Sequence, residues 1–193
     1  MRSLAKIVAS VVAFAALPAP FTGSSQAATM GGYDYAVQYD YREFFSIADN
    51  KTFQVILVGN PFPGMPMAEV ASQMLPLMQI GKPPPNVTFT YDQPREEPRP
   101  YYRMILTFDA VNDVGGDAVC RGKAKSTGVA TPGKVKLYAV YCRNDQAMSQ
   151  IIAWTSAERP NDPEMQRLYT ELFTVLFPRG QGQHPQNGGM QFR

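Results

Sequence analysis

Phe53-Gln-Val-Ile-Leu-Val58 is a nearly continuous apolar run, and the residues after it show how the chain continues. Such a run is typical of a strand that is covered on both faces or lies well inside a sheet. Gly59-Asn60-Pro61 ends the strand, and Pro66 suits the first turn of a helix. The following apolar residues recur at helical spacing and form one face: Met67, Val70, Ala71, Met74, Leu75 and Met78. We therefore predict a strand and then a helix, which Pro76 should kink or end near Leu75.

Downstream of this helix the sequence predicts a series of strands. Residues 101–108 and 118–121 each fit a strand, and residues 135–142 and 150–155 fit a hairpin around Asn144-Asp145. A further strand is indicated by three apolar residues that alternate with threonines, namely Val87, Phe89 and Tyr91.

A second helix is predicted close to the C-terminus. Asp162 can cap it, Pro163 fits its first position, and Pro178 ends it. Its apolar stripe consists of Met165, Leu168, Tyr169, Leu172, Val175 and Leu176. Together the patterns predict an α+β fold with two amphipathic helices on one face of a mainly antiparallel sheet, in the order β-α-β-β-β-β-β-α.

A single domain over residues 51–178 is expected to carry this fold. The chain has 193 residues, of which 45% are hydrophobic, and these values are typical of one domain with a hydrophobic core. Residues 28–50 are tyrosine-rich and predict an edge strand or an extended arm laid over the core. Residues 179–193 are rich in Gly, Gln, Pro and Asn, so we expect a disordered tail.

Residues 1–27 are typical of a secretory signal peptide. Arg2 and Lys6 precede an apolar stretch, and Ser25-Gln26-Ala27 fits a small-x-small cleavage site. That stretch is too short to span a bilayer of roughly 30 Å, and no later segment is long and apolar enough to do so. We therefore expect a periplasmic or secreted protein that has no transmembrane segment in its mature form.

The charge balance of the processed chain argues against nucleic acid as a partner. Cleavage after residue 27 removes two of the 18 basic residues and none of the 16 acidic ones, which leaves 16 of each. Binding to phosphates needs clustered Lys and Arg, which this balanced chain does not offer.

Cys120 and Cys142 are the only cysteines, and export favours a disulfide between them. Both lie in stretches that predict strands, so two neighbouring strands could present them to each other. A redox-active pair is the functional alternative, but such pairs usually lie close in sequence at a helix N-terminus, as in Cys-x-x-Cys. The spacing therefore favours a structural bridge.

Few residues could carry catalysis or hold a cofactor. The single histidine, His184, falls in the expected tail, and the chain after residue 27 has no Gly-x-Ser-x-Gly, Ser-x-x-Lys or Walker motif. We therefore expect no enzymatic activity and no cofactor. Met65 and Met67 offer soft thioether ligands that suit Cu(I), although methionines on an apolar helix face also fill gaps in a core.

Several segments resemble an uncharacterised family of small exported bacterial proteins. The resemblance covers residues 51–178 and rests on the run from Phe53 to Phe62, on Cys120, on Tyr141-Cys142 and on the closing residues 172–178. The element order is also similar to small α+β domains of Gram-negative envelope lipoproteins. In those lipoproteins the helix-backed sheet serves as an adaptor in outer-membrane assembly or cell-wall synthesis. This chain lacks their acylated cysteine, so membrane anchoring does not carry over.

These observations lead to the hypothesis of a non-enzymatic protein that binds another component of the cell envelope, such as a protein partner. Its contact surface would be the tyrosine-rich arm, the Pro-rich loop 92–100 or the open sheet face. Candidate aromatic anchors are Tyr39, Tyr41, Tyr101 and Tyr102. A binding arm could be removed without unfolding the domain.

Two alternatives stay open at this point. One is a soft-metal protein that uses Met65 and Met67. The other is a carrier that holds a small apolar ligand between the sheet and the helices. The sequence leaves the partner and the oligomeric state open.

Overall fold

The computed structural model describes residues 28–180, and the predicted signal peptide and all but the start of the predicted tail lie outside this range. The expected α+β class is confirmed. One six-stranded sheet has the order β1-β6-β5-β4-β2-β3. Its strands are β1 (Thr29–Tyr35), β2 (Thr52–Val58), β3 (Thr88–Thr90), β4 (Tyr102–Phe108), β5 (Val135–Arg143) and β6 (Gln146–Thr155). The helices are α1 (Tyr41–Ala48), α2 (Met67–Gly81), α3 (Gly116–Ala118) and α4 (Pro163–Leu176).

The sheet is mostly antiparallel, as expected, but β2 is parallel to both of its neighbours. β2 pairs with β3 through Thr52–Gln54 and with β4 through residues 54–58. Parallel neighbours need a crossover connection, and α2 supplies the one between β2 and β3. A nearly continuous apolar run is typical of buried parallel strands, but it also fits a strand inside an antiparallel sheet, so the run alone did not decide the direction of the neighbours of β2.

The helix count and the element order differ from the prediction. The tyrosine-rich segment forms not only an edge strand, β1, which pairs with β6, but also the unpredicted helix α1. Asp40 caps α1, because its side chain accepts a hydrogen bond from the Arg42 N–H at 2.8 Å. Residues 118–121 were predicted to form a strand, but they lie in α3 and in the π turn (Val119–Lys123) that follows it.

Helix α2 continues through Pro76 to Gly81, so of the two predicted effects of Pro76, a kink or an end, the end near Leu75 is wrong. Pro76 itself is exposed, whereas Met74 and Met78 on either side of it are fully buried. A proline inside a helix costs roughly 3 kcal/mol. Burial of two large methionines, each worth roughly 1.5–3 kcal/mol, is sufficient to offset that cost.

The two faces of the sheet are covered unequally. The inner face packs against α1, α2 and α4 and forms the main core. The outer face carries a smaller cluster in which Val119 and Cys120 lie on β5 residues such as Val140. This outer cover, which consists of α3 and the π turn that follows it (Val119–Lys123), does not extend over all of β2 and β4, and a cleft remains there.

The predicted disulfide joins Cys120 to Cys142, with their Cα atoms 5.6 Å apart. The expectation that two neighbouring strands carry it is wrong, since Cys120 lies in the π turn and only Cys142 lies in a strand. Both residues are buried, 1% and 0% exposed. Because redox-active thiols need access to their substrates, this burial favours a structural bridge that fastens the outer cover to β5.

Burial raises the pKa of several tyrosines. Desolvation raises the pKa of Tyr35 to about 12. Desolvation and a hydrogen bond to Glu43 raise the pKa of Tyr102 to about 12. The pKa values of four further tyrosines are raised chiefly by desolvation, namely Tyr39, Tyr138, Tyr141 and Tyr169. The folded protein therefore holds these phenolic protons more tightly than the unfolded chain, in which the tyrosine pKa is about 10.

We expect the free energy of unfolding to fall as the pH rises through 10 towards 12. Below pH 10 the tyrosines are protonated in both states, so their stabilising contribution is fully present; above it the unfolded chain loses its protons first. Tyrosinate absorbance and far-UV circular dichroism, recorded on one pH series, should change together. Ionisation of most tyrosines near pH 10 in a protein with an intact circular dichroism spectrum would contradict this expectation.

Candidate binding cleft

A cleft of about 1810 Å³ opens beside β2, on the outer side of the sheet. Its floor is formed by Ile56 and Val58 of β2 and by Ile105 of β4. One wall is the start of α2, and the other walls are residues 93–100 and part of the outer cover. The volume exceeds the 300–1,000 Å³ that is usual for a small-molecule pocket, which favours an extended ligand.

The cleft exists because β3 is too short to cover the edge of β2. β3 pairs only with Thr52–Gln54 and ends at Thr90. If the pairing continued, the Asp92 N–H would be the next group of this strand to donate to β2. It donates instead to Thr90 Oγ1 at 3.0 Å, and the pairing ends. The chain then enters residues 93–100, which contain three prolines and cannot continue the strand pairing.

Tyr101 and Gln54 close one end of the cleft. The Tyr101 hydroxyl donates a hydrogen bond to Gln54 Oε1, and both side chains are 8% exposed. The loop that connects β3 to β4 therefore crosses the outer side of β2 at the level of Gln54. Beyond this level Ile56, Leu57 and Val58 are only half-buried, so apolar surface is open to a ligand.

Arg103 is a buried cation at this closed end, 8% exposed. Its guanidinium donates to the Asn144 carbonyl at 3.1 Å and to the Cys120 carbonyl, and it lies 4.4 Å from the centroid of the Tyr101 ring. The ion pairs within residues 28–180 involve other side chains. Carbonyl dipoles and an aromatic ring thus stabilise Arg103, which ties the outer cover to the β5–β6 turn.

The four tyrosines predicted as anchors do not form one surface. Tyr101 lines the cleft. Tyr102 faces the opposite side of the sheet, where its hydroxyl donates to Glu43 Oε1 at 2.5 Å. Since neighbouring residues of a strand point to opposite faces, Tyr101 and Tyr102 cannot contact one flat partner surface together.

Tyr39 and Tyr41 also lie on the helix side of the fold. The Tyr39 hydroxyl donates to the Pro178 carbonyl at 3.3 Å, and the Tyr41 hydroxyl donates to the Pro84 carbonyl at 2.6 Å. Both rings pack against the main core. These contacts place them away from the cleft and give them a role in holding loops to the domain.

Met65 and Met67 lie at the start of α2, half-buried against the main core. The Met65 sulfur accepts a hydrogen bond from Gln73 Nε2 at 3.7 Å, and Met67 lines the cleft. In the part of the chain that the structure describes, no group of three or more His, Cys, Asp or Glu residues could hold a metal ion. That finding does not concern thioethers, so the copper hypothesis stays a prediction.

The space between the sheet and the helices is filled with side chains. Met104 and Leu106 of β4 and Leu168 and Leu172 of α4 are all 0% exposed. A carrier would therefore need to hold its ligand elsewhere, such as in the cleft, which lies at the edge of the sheet between α2 and the outer face.

Gln54 and Arg103 were not predicted as site residues. Each is a polar residue inside an otherwise apolar strand, in Phe53-Gln-Val-Ile-Leu-Val58 and in Tyr102-Arg-Met-Ile-Leu-Thr-Phe108. A polar residue in a buried strand is a usable signal, because it marks a face that apolar side chains do not fill. The apolar run predicted a strand that is covered on both faces or lies well inside a sheet. β2 does lie inside the sheet, between β4 and β3, but its outer face is only partly covered.

Comparison with family models, with curated proteins and with solved structures found no match to this chain.

Within residues 28–180 no helix is both long enough and apolar enough to cross a membrane.

Proposed function

We propose that this chain is an exported, non-enzymatic binding protein of the bacterial cell envelope, and that its cleft binds another envelope protein. The observation that carries the proposal is the uncovered part of β2, where Ile56, Leu57 and Val58 are half-buried at the centre of the cleft. Apolar surface left open beside an otherwise filled core marks a site of interaction.

Two features support the export part of the proposal. The N-terminal residues fit a signal peptide, and the disulfide is of the kind that persists in oxidising compartments. Mass spectrometry of protein from the periplasm or the medium tests this part. It should find a chain without residues 1–27 and lighter by the two hydrogens lost in forming the bridge.

A photo-crosslinking amino acid placed at Ile56 should capture a partner in living cells. The same group at Val129, which is 73% exposed and does not line the cleft, serves as the control and should capture far less. Adducts are identified by mass spectrometry. Equal capture from both positions, or none from Ile56, would contradict a binding role of the cleft.

A substitution in the cleft wall tests whether crosslinking of the partner from Ile56 needs an open cleft. Ala71→Lys places a charge on the α2 wall of the cleft, and we expect it to reduce capture from Ile56 by at least tenfold, since burial of an unpaired charge costs several kcal/mol. Ile80→Lys is the matched control, because Ile80 lies on the same helix and is 64% exposed. Circular dichroism should show both variants folded.

A further inference from the structure

Main-chain groups of β2 remain unpaired along the cleft. The Lys51 carbonyl accepts from the Thr88 N–H at 2.9 Å, so strand alternation directs the N–H and C=O groups of Val55 and Leu57 to this same side. β3 ends at Thr90 and partners no residue beyond Gln54. Within residues 28–180 the N–H and C=O of Leu57 and the C=O of Val55 therefore lie on a free strand edge.

This edge lacks the features that usually prevent strands from pairing with other chains. Exposed edges are commonly blocked by charges, prolines or β-bulges. The opposite edge of the sheet, β1, has a bulge between Met30 and Tyr33 and carries Asp34. The free half of β2, Val55-Ile-Leu-Val58, has none of these.

The walls of the cleft differ in chemistry on the two sides of the free edge. On the helix side lie the apolar or small side chains of Ala68, Ala71 and Leu75. On the other side residues 93–100 contribute polar groups, including Glu97 and Arg99. A strand added here would direct alternate side chains to an apolar wall and to a polar wall.

We propose that the cleft binds an extended peptide segment of the partner as an additional strand, hydrogen-bonded to Val55 and Leu57 beyond the end of β3. The proposal rests on the binding function proposed above. It commits to a peptide because unpaired N–H and C=O groups at strand spacing require complementary acceptors and donors, which an apolar small molecule lacks. The free stretch fits a strand about as short as β3, with apolar and polar residues in alternation.

Amide hydrogen exchange provides the first test. In the protein alone, the Leu57 amide should exchange much faster than those of Ile56 and Val58, which point towards β4. Peptides selected from a random displayed library on the immobilised protein should slow exchange at Leu57 by about tenfold or more. Failure to recover binders, or recovered peptides that leave Leu57 exchange unchanged, would overturn the proposal.

A main-chain substitution provides the second test. Replacing Leu57 by its α-hydroxy analogue removes the N–H and keeps the side chain. We expect the selected peptides to bind about tenfold more weakly, with only a small fall in the unfolding midpoint, because the ester keeps the Ile56 carbonyl but makes it a weaker acceptor for β4. The same replacement at Ile56 is the matched control and should destabilise the fold, because that N–H faces β4. Misfolding of the Leu57 ester would show that its N–H is used inside the domain and would reject the proposal.

The outcomes separate this inference from the proposed function. Exchange at Leu57 that slows with protein concentration alone, without peptide, would identify a second copy as the occupant and would refute a partner segment. Cellular crosslinking from Ile56 without peptide protection at Leu57 would keep the binding function and exclude strand addition. If neither crosslinking from Ile56 nor peptide protection at Leu57 is observed, both the proposed binding function and the strand addition are rejected.

Discussion

Replacing Cys120 and Cys142 by alanine is expected to lower the free energy of unfolding by about 3 kcal/mol. The bridge closes a loop between cysteines 22 residues apart, and in the chain-entropy model such a loop restricts the unfolded chain by roughly this amount. The bridge also holds the outer cover on β5. Chemical denaturation of the double variant, followed by circular dichroism, measures the loss.

Reduced wild-type protein is the control for this experiment, because it lacks the bond but retains both sulfur atoms. The reduced protein and the double variant should lose similar free energy of unfolding. A loss below about 1 kcal/mol in both would show that other contacts, such as those of Arg103 to the Cys120 and Asn144 carbonyls, hold the cover in place. Since Val119 and Ala124 line the cleft, we also expect weaker partner capture without the bridge.

The features predicted correctly from the sequence are those with local signals. Helix α4 begins at Pro163 as expected, and its stripe is buried apart from the partly exposed Val175. The β5–β6 hairpin turns at Asn144-Asp145, and β6 begins at Gln146, four residues earlier than predicted. In each case the turn residues and the apolar periodicity lie within a short stretch of chain, so no distant contact is needed to interpret them.

The features missed depend on distant contacts. Helix α1 has few residues, and it is stabilised by packing of Phe44 and Ala48 against other elements. The parallel direction of β2 depends on where α2 returns the chain. The cleft depends on β2 extending past the end of β3, which is a relation between two distant segments, although the hydrogen bond from the Asp92 amide to Thr90 Oγ1 at that end is itself local. Apolar periodicity contains none of this information.

Phe44→Ala is expected to lower the free energy of unfolding by about 3–5 kcal/mol, and this variant tests whether the tyrosine-rich segment is a removable arm. Phe44 is 0% exposed and stacks on Phe177 with ring centroids 4.0 Å apart. Its ring also meets Phe53 and Tyr141 edge-on, at 5.8 Å and 5.6 Å. Truncation would leave a cavity among three aromatic rings that rigid strands and α4 cannot easily close.

Phe45→Ala is the matched control, because the next residue of α1 is 43% exposed. We expect it to change the free energy of unfolding by at most about 0.5 kcal/mol. Denaturant titration of both variants distinguishes two interpretations of residues 28–50. A large loss for Phe44 alone would mean that deleting the segment unfolds the domain, so that lost partner capture in a deletion mutant could not be assigned to a binding arm. Small losses for both variants would restore the arm interpretation and leave Tyr39 and Tyr41 as candidate anchors.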